Sequence, residues 1–140
     1  MIVLRQAQVE AIRTHASEAY PDEACGLLVG RRDGDRREVL RVEPSANLAD
    51  EPRHRFEIDP ALRFRLMRAL RDSGEDILGH YHSHPDGPSA PSATDLAMAY
   101  EPDLVWLILG VSQGQPGRLT AHLADPDGGI FHNLALRIRR

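Results

Sequence analysis

Apolar positions recur along this chain with two different periods, and the switches between them divide it into elements. Val9, Ile12, Ala16 and Ala19 form one stripe at helical spacing within residues 5–20, and Pro21 stops the pattern, so a first amphipathic helix is predicted there. Cys25 to Gly30 is a short apolar run, Arg31-Arg32-Asp33-Gly34-Asp35 is a turn signal, and Glu38 to Val42 alternates; together they predict a hairpin. Residues 44–53 are rich in Pro, Ser, Ala, Asn and acids without periodicity and read as an exposed loop, of a length often used for binding segments. His54-Arg55-Phe56-Glu57-Ile58 alternates again and predicts a strand. Asp59-Pro60 supplies a cap and a favoured first residue for a second helix, with Leu62, Leu66, Ala69 and Leu70 on its apolar face and an end near Gly74. A strand follows from Asp76. The continuous apolar run from Leu104 to Val111 is that of a strand covered on both faces. Leu119 to Leu123 and Ile130 to Ile138 predict two more strands, joined by the turn Asp125-Pro126-Asp127-Gly128-Gly129. The sum is an α/β chain with a mixed sheet and helices on its faces, organised as one domain over residues 1–140.

Composition narrows the classes of partner more than it changes this picture. The 140 residues are 41% hydrophobic and 27% charged, which is ordinary for a globular protein with a core of its own. A net charge of −4 with interspersed signs gives no footprint for nucleic acid or an anionic membrane, and the basic end Arg137-Ile138-Arg139-Arg140 is too short to make one. The single Cys25 excludes an internal disulfide, and no leader or long apolar run is present, so a cytoplasmic location is expected.

The chemistry concentrates between Gly79 and Leu96. Side chains at i and i+2 of a strand share a face, so His80, His82 and His84 all point one way, and spacing alone leaves open which two would bind a metal. Zinc takes imidazole nitrogen and carboxylate oxygen, and catalytic sites use three protein ligands with a position left for water. Pro85, Pro88 and Pro91 stiffen the connection to Ser92, which opens a short helix carrying Asp95 in its first turn, the nearest candidate for the third ligand. Ser92 and Asp95 also have the spacing of a capping box, which explains both residues without a metal. Alternating histidines likewise occur as hydrogen-bonded, half-buried residues.

HxHP from His82 to Pro85, six residues, and then Ser92-Ala93-Thr94-Asp95 resembles the JAMM (MPN+) metalloprotease signature. Glu23, in Asp22-Glu23-Ala24-Cys25-Gly26, matches the family's upstream glutamate. The resemblance spans nearly the whole chain and is greatest to short prokaryotic members that act on ubiquitin-like sulfur-carrier proteins. It implies a three-layer αβα fold similar to that of cytidine deaminases, and zinc held by His82, His84 and Asp95. It further implies Glu23 as general base and Ser92 as an oxyanion donor. The expected substrate is the amide or isopeptide bond after the C-terminal glycine of a carrier, whose extended tail would pair with a sheet edge beside the metal. The loop 44–53 and the segment 86–91 would flank its groove. Two other readings set limits: a non-catalytic scaffold of the same fold, and a closed structural zinc site with His80 as fourth ligand. Nucleobase deaminase and HExxH patterns are absent, and Cys25, inside an apolar run, is a poor nucleophile.

Overall fold

The computed structural model describes residues 1–97, 101, 103–125 and 130–140. In chain order the elements are β1 (Ile2–Arg5), α1 (Gln6–Ala19), β2 (Cys25–Asp33), β3 (Arg36–Ser45), α2 (Pro60–Ala69), β4 (Asp76–Pro85), α3 (Ala93–Ala97), β5 (Val105–Ser112), β6 (Gln115–Ala124), β7 (Phe131–Leu134) and β8 (Leu136–Arg139). The strands form one mixed sheet in the order β7-β6-β5-β4-β2-β3-β1-β8. Among the described residues no helix is long and apolar enough to cross a membrane.

Both predicted helices form, but α2 ends at Ala69 instead of near Gly74, and Ala69, expected on the apolar face, is exposed. Val9, Ile12 and Ala16 of α1 are buried in the larger core together with Leu28, Leu78, Tyr81 and Leu107. Leu62 and Leu66 of α2 pack with Leu27, Val29 and Ile77 on the other side. Leu27 and Leu28 are consecutive in β2, so these two clusters lie on opposite faces of the sheet. A helix layer on each side of the sheet gives the α/β, αβα architecture that the pattern and the resemblance imply. Asp59 caps α2 by accepting from the Ala61 N–H at 2.9 Å.

Three departures from the expected elements have physical causes. Ile2-Val3-Leu4, too short a run to stand out in sequence, is a buried strand because it lies between β3 and β8, parallel to both. The alternation at 54–58 does not make a strand: only Ile58 pairs, in an isolated bridge with Asn47, and the alternation reflects the inward turn of Phe56 and Ile58. The predicted strand 130–138 is two strands broken at Ala135, and they lie at opposite margins of the sheet. A single residue connects those margins, and consecutive Cα atoms are about 3.8 Å apart, so the sheet must curl until its two sides approach each other. Helix α1 bridges the halves of that curl. Gln8 donates to the Val39 carbonyl in β3 at 3.1 Å, and Arg13 donates to the Gly117 carbonyl in β6 at 2.7 Å. Residues 126–129 of the expected turn lie outside the described residues.

Candidate metal centre

Topology explains how Glu23 meets a motif about sixty residues away. β4 runs between antiparallel β2 and parallel β5, with Cys25 opposite His82 and His84 opposite Gly110. The start of β2 therefore lies beside the C-terminal end of β4. Strand ends of this kind, where the chain leaves for a crossover, are recurrent site locations in α/β folds. Ser83 faces away from the histidines and completes the junction: its Oγ accepts from the Ala24 N–H at 2.8 Å, while its own N–H donates to the Ala24 carbonyl at 3.0 Å.

The donor atoms converge. His82 Nε2 and His84 Nε2 are 3.0 Å apart, with Asp95 Oδ1 3.2 Å from the first and Oδ2 3.0 Å from the second. One nitrogen or oxygen donor on each of Glu23, His82 and His84 lies within 4.8 Å of the others. Donors at about 2.0–2.2 Å around one tetrahedral ion are separated by about 3.4 Å, so the His82, His84 and Asp95 atoms are spaced to share a cation. Their N,N,O chemistry suits zinc and related borderline metals. Glu23 is buried and its Oε1 has no hydrogen-bond partner, which leaves an oxygen beside the nitrogens rather than spent on the fold.

Local structure fixes each group. His84 Nδ1 is 2.9 Å from the Pro88 carbonyl, which assigns the proton to Nδ1 and frees Nε2 for a metal. The proline-rich segment that supplies this carbonyl lies over Gly110, where any Cβ would meet Ser89 Oγ at 2.8 Å and Gly87 O at 3.0 Å. The Ser89 hydroxyl accepts from the Gly110 N–H and donates to the Arg118 carbonyl. Ser92 and Asp95 form the reciprocal cap: the Asp95 N–H donates to Ser92 Oγ at 3.0 Å, and the Ser92 N–H donates to Asp95 Oδ2 at 2.9 Å. Capping and metal binding are thus compatible for Asp95, because Oδ1 remains directed at His82. The Ser92 hydroxyl accepts in this bond and keeps its own proton to donate.

Burial and pairing pull the titratable groups apart. Glu23 is pushed up to about 8, first by burial, with Asp95 adding to the effect and His84 opposing it. Burial alone would raise Asp95, but hydrogen bonds from His82 and His84 hold its carboxyl well below the usual range. His82 is lowered by burial. His84 is raised, because hydrogen bonds to Asp95 and the Pro88 carbonyl overcome its burial. A carboxyl prone to carry a proton beside an ionised carboxylate is the separation of roles expected of acid–base chemistry. Cys25 is pushed up to about 12 by burial and by Glu23, which removes it as a nucleophile.

His80 stands apart from the donors. Its ring meets Trp106 edge-on at 4.3 Å and Phe56 at 5.2 Å, and burial lowers it to about 3. Phe56 in turn stacks on His82 at 4.3 Å with rings 17° apart. Neither aromatic was a candidate from sequence, where Phe56 reads as a strand residue and Trp106 as part of an apolar run. Beside the centre opens a cavity of about 750 Å³ lined by residues that include Leu27, Asp50, Glu51, Phe56, His80, Thr94, Asp95 and Trp106. Ala49, Asp50 and Glu51 of the expected loop 44–53 line it, whereas Pro44 and Ser45 belong to the end of β3 and Ser45 is buried. The segment 86–91 does not, because it is folded down over β5 and β6. Among the described residues the sheet edge expected beside the metal is also missing, since β4 has strands on both sides and the margins are β7 and β8.

The fold is that of a JAB1/MPN domain: the crystal structure of a JAB1/MPN domain protein from Archaeoglobus fulgidus superimposes with a TM-score of 0.61 at 20% identity, covering 100% of each chain. Residues 5–122 match the family described as prokaryotic homologs of the JAB domain, and the chain belongs to that family. It is 40% identical over 133 residues to a desampylase of Haloferax volcanii, covering 92% of this chain and 90% of that one. It is 36% identical over 118 residues to a CysO-cysteine peptidase of Mycobacterium tuberculosis, covering 84% and 77%. The solution structure of a protein from Desulfitobacterium hafniense superimposes with a TM-score of 0.86 at 38% identity, covering 100% of this chain and 94% of that one.

Proposed function

We propose that this chain is a zinc-dependent peptidase that hydrolyses the amide bond after the C-terminal glycine of a ubiquitin-like sulfur-carrier protein in the cytoplasm. The observation that carries the reading is the buried, unpartnered Glu23 oxygen beside the His82–His84–Asp95 cluster, whose Asp95 lines a cavity of about 750 Å³. The similarity to a desampylase and a CysO-cysteine peptidase supports the substrate class.

His82, His84 and Asp95 would hold the ion, which when bound supplies Lewis acidity toward water and the scissile carbonyl. Glu23 takes the proton of the attacking water and returns it to the leaving amine; its burial, which favours the neutral acid, suits the second transfer. Ser92, its lone pair engaged by the Asp95 N–H, donates its free proton toward the developing oxyanion. With no sheet edge at hand, the carrier tail would lie in the cavity against Phe56 and Trp106, beside the backbone of residues 46–58. A closed four-ligand site is disfavoured, because His80 is committed to the aromatic layer.

The test is the zinc content of wild-type protein beside Asp95→Ala, followed by cleavage of a fusion carrying a ubiquitin-like tail. About one zinc per chain, much reduced in the variant, with cleavage that a chelator stops, is the expected result. A wild-type protein that takes up no zinc on resupply would falsify the proposal.

A further inference from the structure

The base has a support that the motif does not contain. Asn47 lies in the loop between β3 and α2, and its side-chain amide serves five backbone groups. Nδ2 donates to the carbonyls of Glu23 at 3.0 Å, Arg55 at 2.9 Å and Pro52 at 3.4 Å. Oδ1 accepts from the N–H groups of Ala49 and Glu57, both at 3.0 Å. The N–H of Glu23 donates to the Pro52 carbonyl at 2.7 Å. Glu23, two residues before β2 begins, therefore has both of its peptide groups held by this loop instead of by a strand.

The same loop reaches the rest of the centre. It lines the cavity through Ala49, Asp50, Glu51 and Arg55, and it delivers Phe56 to the face of His82. One side chain thus holds the loop together and fastens it to the residue that carries the buried carboxylate.

We infer that Asn47 is a positioning residue for Glu23, and that it ties the base to the wall of the substrate cavity. The inference rests on the proposed role of Glu23. Asn47 touches no reacting atom; its effect is on where the Glu23 backbone sits, and misplacement by about 1 Å of a group that must meet a reacting atom is enough to cost about 100-fold in rate.

Asn47→Asp separates the two halves of the clamp, since it keeps the acceptor for Ala49 and Glu57 and replaces the donors facing Glu23 and Arg55 with an oxygen. Hydrogen exchange of the Glu23 amide should quicken by roughly tenfold, with the amides of β4 and β5 unchanged. Zinc content should stay at the wild-type level, and kcat on a tail fusion should fall by about tenfold or more while KM moves by less than about twofold. Asn47→Ala, read in parallel, adds no charge and removes the acceptor as well, so it should also raise KM. Unchanged exchange and unchanged kcat in the zinc-loaded variants would overturn the inference. So would loss of zinc in step with activity, which would assign Asn47 to the ligands or to the fold. If wild-type protein cleaves no tail fusion, the proposed function fails, and the exchange measurement still judges the clamp.

Discussion

On the α1 face of the sheet, β4 contributes Leu78 and Tyr81 to a dry core that runs from β1 to β6. On the α2 face the same strand presents Ile77 to a small apolar cluster and then His80, His82 and His84 to aromatics, a carboxylate and a cavity. One strand thus keeps its packing and its chemistry on opposite sides. The arrangement has a cost visible in the hydrogen bonds: the α2 face holds Glu23 Oε1, His80 Nδ1 and His82 Nδ1 buried without partners, whereas buried polar groups are normally satisfied. The α1 face pairs its deep hydroxyls: Tyr81 Oη lies 2.7 Å from His15 Nδ1, and Ser83 Oγ accepts from the Ala24 N–H at 2.8 Å. Stability is supplied on one side and spent on the other.

The sharpest way to separate the faces is Glu23→Gln. It should retain zinc and fold normally while kcat/KM falls by about 10²–10⁴, the range for losing a general base, as read by single-turnover cleavage of a tail fusion. An active variant would remove Glu23 from that role. Leu107→Ala makes the opposite cut. Leu107 is fully buried on the α1 face, so denaturant unfolding should show a loss of about 2–5 kcal/mol. Turnover per zinc-loaded native molecule should hardly change; a large fall would mean that the faces are coupled.

Metal-free protein offers a third cut. Burial pushes Glu23 from its ordinary 4.5 up to about 8, so between those limits the folded state binds a proton that the unfolded chain has released. Stability of the chelated protein should therefore fall as pH rises from about 4.5 to 8, by as much as about 5 kcal/mol, and Glu23→Gln should flatten that slope. Urea midpoints at several pH values would show it, and a slope unchanged by the substitution would place its origin elsewhere. The smallest effect belongs to Phe56→Ala. Losing the ring stacked on His82 should cost about 1 kcal/mol of stability and quicken zinc loss to a chelator, since water then reaches the ligand.

The motif strand, the short helix and the ligand candidates were legible because their spacing encodes a face, and a strand–loop–helix unit is local. Glu23 was reached only through the family signature, since no local pattern links it to His82; the antiparallel pairing of β2 with β4 makes that link. Asn47 was illegible for a different reason. In a loop without period an asparagine reads as turn chemistry, and its five partners exist only once residues 23, 52 and 55 have been folded around it. His54 to Ile58 alternates because Phe56 and Ile58 turn inward, a pattern that a strand and a packed loop produce alike. The break at Ala135 escaped because each half continues the alternation of the other.

That break bears on how the protein is made. β8 at residues 136–139 pairs with β1 at residues 2–5, and the N–H of Ile2 donates to the Ala135 carbonyl at 2.9 Å. The first strand therefore waits for the last, and on the ribosome the nascent chain can form the β2–β3 hairpin and α2 long before β1 acquires its outer neighbour. Closure of the sheet is a late, non-local event, of the kind that slows folding. Until it happens, the apolar Ile2-Val3-Leu4 lacks one of its two flanking strands and invites other chains, so expression at low temperature or with chaperones should favour this protein's yield more than its final stability would suggest.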